Sequence, residues 1–359
     1  MSRTIDTTDI AWPWPFTRAD LTAGLRQAMA DTSLWVLSAQ PMTMTHMRPS
    51  IGRLRGMLVE YETRESRGTC RLVVKEPRGT TRTGLAGAGR REVGVYRSLA
   101  ANLPLATPRL IAASPVGDWL ILDAIKPAGD PSRWKAEDYR TAIDGLVTLH
   151  DRFMGLAEDL GAFPWLSRPL ESDYEVHVSA AAQAIERIVN DGQPTCLARF
   201  PERMRVLANL TLHSDRVAAS LRHQPATLLH GDYWPGNIAA LPDGSQIVYD
   251  WQLAGVGPGV MDLLVFVSKS LWWFGSLPLE SEEIAAYYRE RMAARAGIEW
   301  TDASWDEAWD HALMWRFLQE WIDLLAASTD SLLESHVSRI DQVWFEPIRT
   351  AMQRRLGVT

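Results

Sequence analysis

His230-Gly231-Asp232 is followed by Asn237, five residues beyond the aspartate, and then by Asp250 at the end of the next apolar run. A carboxylate such as Asp232 can take a proton from a hydroxyl held beside it. An amide oxygen and a second carboxylate, Asn237 and Asp250, are hard ligands suited to Mg²⁺, which completes its shell with water and nucleotide phosphates. Asp243-Gly244, flanked by apolar residues, predicts a two-residue hairpin turn, because both central positions need positive φ. Pairing then follows i + j = 243 + 244 = 487, which sets Asn237 opposite Asp250 with Cβ atoms roughly 4.5–5.5 Å apart. An isolated His-x-Asp, or an Asp-Gly turn alone, carries little weight. The joint spacing, with a Lys-bearing apolar strand 155 residues before His230, matches the parts needed for phosphoryl transfer.

The elements that must hold these residues divide the chain near residue 125. TRADLTAGLRQAM has helical spacing and a Thr N-cap, and MLVEYET and TCRLVVKEP read as strands. After the small residues of GTTRTGLAGAG, REVGVYRSLAANL reads as a helix, and RLIAASPVGDWLILDAI as two strands about a turn. Beyond Pro127 the pattern is mainly helical: AEDYRTAIDGLVTLHDRFM, DYEVHVSAAAQAIERIVND, RMRVLANLTLHSDRVAASL and three segments after Ser281, interrupted by one short strand pair. The expected class is α+β, with a small β-rich lobe over residues 1–125, opened by a short helix, and a larger helical lobe over 126–359.

Composition narrows the function. The 359 residues, 46% apolar and 23% charged, suffice for a full core. Two cysteines, Cys70 and Cys196, far apart, exclude a disulfide framework and a Cys-based zinc site. The N-terminus lacks signal-peptide order, and the most apolar stretch, Val260 to Phe274, is broken by Asp262 and Lys269 and is too short for a span of about 20 residues. A cytoplasmic location and no membrane partner are therefore expected. Residues 1–122 carry 16 basic against 10 acidic side chains, and the remainder 21 against 34, so the net charge of −7 divides into +6 and −13. An acidic larger half disfavours nucleic acid and suits a cationic small molecule, or is simply a solvated surface. Ten of the sixteen tryptophans lie from Trp234 onward, and they serve either core packing or an aromatic-stacking acceptor site. His150 is expected to pack or cap rather than bind.

HGDYWPGN, the later DWQ and GPGVMDL together resemble the aminoglycoside phosphotransferase and choline kinase superfamily, which shares the protein-kinase-like fold. The resemblance spans roughly Gln40 to Leu325 and is sharpest from His230 to Leu264. The same motifs are similar to ecdysteroid kinase-like and related bacterial small-molecule kinases. The resemblance implies a bilobal kinase-like fold, Asp232 as catalytic base, Asn237 and Asp250 as Mg²⁺ ligands, and His230 and Asp262 as supports of the catalytic loop. It further implies that Lys75, one of only four lysines against 33 arginines, binds nucleotide phosphate with Glu92 as its helix partner. The phosphate-covering loop falls on RPSIGRLRGM, with Ser50 and Gly52, and lacks a clean Gly-rich signature. LILDAI resembles the adenine-binding hinge.

Asp250-Trp251-Gln252 departs from Asp-Phe-Gly, and no APE-type segment follows, which favours a constitutively formed small-molecule kinase over a protein kinase. The expected activity is ATP-dependent, or GTP-dependent, transfer of the γ-phosphoryl group to a hydroxyl of a small acceptor, aminoglycoside-like or an amino alcohol, cationic or aromatic-stacking. The alternatives are a nucleotide-binding pseudokinase without turnover and a metal hydrolase built on His230 and Asp232, which needs further ligands. The oligomeric state is left open.

Overall fold

The computed structural model describes residues 12–44, 52–77 and 85–358. The chain forms two compact units, Met1–Arg78 with Arg109–Ala124, and Gly79–Pro108 with Ile125–Thr359.

The first unit opens with helix α1, Arg18–Met29. Thr17 and Asp20 close its first turn reciprocally, the Thr17 hydroxyl accepting from Asp20 N and the Asp20 carboxylate from Thr17 N, so two otherwise unpaired donors are satisfied. Strands β1 (Trp35–Met42), β2 (Arg53–Glu62), β3 (Arg67–Glu76), β4 (Leu110–Ala113) and β5 (Leu120–Asp123) make one antiparallel sheet in the order β1-β2-β3-β5-β4. Leu72 and Val74 of β3 bury one face against Leu21, Leu25, Val36, Met57, Val59, Ile111 and Ile121. Successive side chains alternate faces, so Lys75 lies on the opposite face, opposite Leu54 and Leu120 in register and buried. Gly24 lets α1 lie on β4, since a Cβ there would stand 2.2 Å from Ile111 O.

The second unit begins with α2 (Ala88–Gly94), which widens into a π-turn over Val95–Leu99. Then come α3 (Ala136–Phe153), α4 (Tyr174–Asp191), α5 (Thr195–Ala198), α6 (Pro201–Leu212) and α7 (Ser214–Arg222). The helical stretch RMRVLANLTLHSDRVAASL forms two helices, α6 and α7, parted at His213. Two short strand pairs replace the single expected pair: β6 (Ala226–Leu229) with β9 (Gly255–Pro258), and β7 (Ile238–Ala240) with β8 (Gln246–Val248). Helix α8 (Val260–Phe274) is buried at every position from Val260 to Ser270, which accounts for its apolar composition. Helices α9 (Ser281–Ala296) and α10 (Asp302–Arg316) follow, and α10 continues as a π-turn, Phe317–Trp321. Helix α9 is tied to α3 by Arg291–Asp144 at 2.7 Å and Arg295–Asp151 at 2.9 Å. Among the described residues no helix is long and apolar enough to cross a membrane.

Candidate functional site

Strand β6 ends at Leu229, and the chain enters the loop through Gly231 at φ 79°. A Cβ at Gly231 would sit 2.0 Å from Leu253 O, so the residue type is dictated by both conformation and space. Asp262, in the first turn of α8, receives His230 N on one oxygen and Gly231 N on the other. Buried His150 approaches the same carboxylate at 3.4 Å and meets the Tyr288 hydroxyl at 2.8 Å, a packing role as expected. His230 Nδ1 accepts from Asp232 N at 3.1 Å, which leaves Nε2 to donate to Tyr249 O, also at 3.1 Å. That pattern requires the neutral ring, and burial pushes the His230 pKa down in the same sense, against the pull of the Asp262, Asp232 and Asp250 carboxylates.

Asp232 is largely buried, and both its oxygens are engaged. Oδ2 accepts from Asn237 Nδ2 at 3.0 Å, and that amide also donates to Asp232 O at 2.8 Å. Oδ1 accepts from Lys269 Nζ at 2.5 Å, with Arg316 Nη2 at 3.9 Å. With its nitrogen committed to Asp232, Asn237 has its carbonyl oxygen as the donor for a hard cation.

The hairpin differs from the expected geometry. Observed pairs are Ile238↔Val248, Ala239↔Ile247 and Ala240↔Gln246, a sum of 486 rather than 487. Pro242 and Asp243 occupy the centre of a turn closed by Gly244 N donating to Leu241 O, and Leu241 N donates to Ser245 O. Gly244 takes φ 84°, so this is a three-residue loop with a bulged glycine. Pro242, whose ring presets the first central φ of such a turn, moves the turn one residue towards the N-terminus. Asn237 therefore bonds to Tyr249, whose N donates to Asn237 O at 3.1 Å, and Asp250 lies one step beyond the ladder. Asp250 adopts φ 71°, ψ 59°, one of two described non-glycine residues with positive φ, and starts the short turn Trp251–Leu253.

Helix α2 is laid against that turn. Arg91 Nε donates to Gln252 O at 2.8 Å, and Glu92 is fully buried in the same helix. Tyr96, one turn on, feels the charges of both Glu92 and Asp250. Burial first, then those carboxylates, push its phenol well above the ordinary range. Glu92, Tyr96 and Asp250 thus share one neighbourhood within the second unit. Lys75 occupies β3 of the first unit. Gly52 takes φ 125°, and a Cβ there would stand 2.6 Å from Glu76 O, so the close approach of β2 to the end of β3 already demands glycine. Ser50 lies outside the described residues.

Of the tryptophans, Trp272, Trp305, Trp315, Trp321 and Trp344 are core residues, whereas Trp273 is 46% exposed. Trp273 stacks on Trp234, two residues after Asp232, with ring centroids 6.4 Å apart. Lys269, Arg316 and Glu320 were not marked by any motif. The available signal was a lysine inside an otherwise apolar helix, since a buried ammonium must find a partner. Among the described residues no three His, Cys, Asp or Glu side chains gather as a metal site.

A small antiparallel unit and a helical unit carrying a His-Gly-Asp loop, a hairpin and a following aspartate are the parts of the protein-kinase-like fold. The chain belongs to the phosphotransferase enzyme family, whose model matches residues 58–301. Solved structures that share the fold at low identity include three aminoglycoside phosphotransferases. The ADP-bound aminoglycoside phosphotransferase APH(2'')-Ib is 15% identical, over 92% of this chain and 99% of its own, with a TM-score of 0.51. The streptomycin–ATP ternary complex of APH(2'')-IIa is 13% identical, over 93% and 99%, at 0.51. A thermostable mutant of aminoglycoside phosphotransferase APH(4)-Ia, in ternary complex with ADP and hygromycin B, is 12% identical, over 91% and 97%, at 0.52. No curated protein matches the chain.

Proposed function

We propose that the protein is an ATP-dependent kinase that transfers the γ-phosphoryl group to a hydroxyl of a small acceptor. The observation that carries the reading is the Asp232 carboxylate, oriented on one oxygen by Asn237 and on the other by Lys269. Such a carboxylate is preorganised to accept the proton of an acceptor hydroxyl. Asn237 and Asp250 offer hard oxygens of the kind Mg²⁺ prefers, and the bound ion would neutralise phosphate charge. By the family resemblance Lys75 is assigned to the nucleotide phosphates with Glu92 as its partner, and Gly52 and Ser50 to the loop over them. The structurally similar enzymes named above carry ADP or ATP in their complexes, which supports ATP as donor, with GTP the alternative to measure.

For the acceptor, the acidic surplus of residues 123–359 and the exposed Trp273 face beside Trp234 favour a cationic or ring-bearing compound, aminoglycosides and amino alcohols first. The test is ADP release with Mg²⁺ and ATP across aminoglycosides, amino alcohols, sugars and nucleosides. Acceptor-dependent release that Asp232→Asn lowers by about 10²–10⁴-fold is expected. Release indifferent to that substitution would overturn Asp232 as the base, and nucleotide binding with no turnover on any acceptor would favour a pseudokinase.

A further inference from the structure

Lys269 is an unusual tenant of α8. From Val260 to Ser270 every residue of that helix is buried, and Lys269 itself is 9% exposed. Burying an ammonium costs several kcal/mol unless it is paired. Its Nζ donates to Asp232 Oδ1 at 2.5 Å and to Glu320 Oε1 at 3.4 Å. Glu320 in turn pairs through its other oxygen with Arg316, whose Nη2 stands 3.9 Å from Asp232 Oδ1. Two cations and two carboxylates therefore alternate and sum to zero. Glu320 is carried by the π-turn Phe317–Trp321 that extends α10, a helical irregularity frequent at functional sites.

We propose that Lys269, braced by Glu320 and Arg316, is a positioning residue that fixes the rotation of the Asp232 carboxylate. The inference rests on the reading of Asp232 as the base. A buried ion cluster with no such task is commonly replaced by apolar residues at no loss of stability. This one ends on the carboxylate that must face the acceptor hydroxyl. With Asn237 on Oδ2 and Lys269 on Oδ1, the group cannot turn about its last torsion without breaking a charge-assisted bond. Lys269 acts through Asp232 and stays off the reacting atoms.

The experiment compares Lys269→Met, Lys269→Arg, Asp232→Asn and the double variant Lys269→Met/Asp232→Asn, following Mg²⁺-dependent ADP release, to water or to an acceptor, under steady-state and single-turnover conditions. Lys269→Met is expected to lower kcat about 100-fold with nucleotide KM within about twofold, the size expected of a displaced catalytic group. Lys269→Arg should recover to within about tenfold of the parent, because it keeps the charge. In the Asp232→Asn background, Lys269→Met should change turnover by less than about twofold, since the two residues act as a unit. Unchanged kcat in Lys269→Met overturns the proposal. So does an equal loss in both backgrounds, or a nucleotide KM that rises in step with the fall in kcat. If Lys269→Met fails to fold by circular dichroism, Glu320→Gln decides instead: kcat down about tenfold at constant nucleotide KM supports the brace, and parental kcat overturns it. Should Asp232→Asn itself retain full turnover, the kinase reading fails, a result separate from any loss or retention in Lys269→Met.

Discussion

Asp262 divides its two oxygens between consecutive backbone amides, taking His230 N at 2.7 Å and Gly231 N at 2.8 Å. Helix α8, packed against α9 and α10, thereby sets the height and twist of the loop that carries Asp232. Only an ionised carboxylate can accept twice in this way, since an amide presents one acceptor and one donor.

Asp262→Asn should therefore turn an NH₂ group towards one of the two backbone N–H donors. Leaving a buried donor unpaired costs about 1–3 kcal/mol, and more where a charge was the partner. The expected result is a drop in unfolding free energy of about 3–5 kcal/mol, the range for breaking a buried charged contact, together with loss of turnover. Urea denaturation and ADP release measure both. Full stability and activity would remove Asp262 from the account.

Gly231→Ala tests the same loop from the other side. Its Cβ would meet Leu253 O at 2.0 Å, a backbone atom that cannot swing away, and φ 79° adds strain for any L side chain. Left-handed backbone alone costs roughly 1–2 kcal/mol. The variant should lose more than this, and turnover should vanish even where circular dichroism reports a folded chain.

Much of this loop was legible beforehand, because its determinants are local. Asp232, Asn237 and Asp250 sit among apolar residues at spacings that only a turn and a short strand pair can reconcile. Asp243-Gly244 alone predicts a register one residue away from the observed one, because Pro242, with its fixed φ, recruits the earlier turn. What escaped entirely is long-range. Lys269 meets Glu320 across 51 residues of sequence, and nothing local to either announces the other. The tryptophans of α10 and its extension are ambiguous for the same reason: helical spacing does not say which face meets the core, and Trp315 and Trp321 turn inward.

Asp250 offers a way to separate metal binding from backbone strain. At φ 71° asparagine is tolerated far better than alanine. Asp250→Asn should keep stability within about 1 kcal/mol of the parent, whereas Asp250→Ala should lose about that much or more. Both should lose the Mg²⁺-dependent part of nucleotide affinity, which tryptophan fluorescence can follow. Metal-dependent binding surviving in Asp250→Ala, which leaves no side-chain oxygen, would remove Asp250 from the ligand set.

His177, on α4, is buried with neither ring nitrogen bonded, its ring edge-on to Trp315. Burial pushes its pKa down to about 4 from an ordinary 6.5, with Arg91 and Arg316 adding to the effect and Asp173 opposing it. The sign follows from linkage. The unfolded chain binds a proton at His177 below pH 6.5 and the folded one does not until about pH 4, so this contribution is intact above 6.5 and is lost as pH falls towards 4. At 1.36 kcal/mol per unit the loss is of order 3 kcal/mol. His230 and His311, also held neutral by burial, push in the same direction. A difference measurement isolates the one residue: urea unfolding of the parent and of His177→Phe from pH 7 to 4.5 should show a shallower acid decline in the variant. Parallel curves would mean that His177 takes up its proton in the folded state as readily as in the unfolded one.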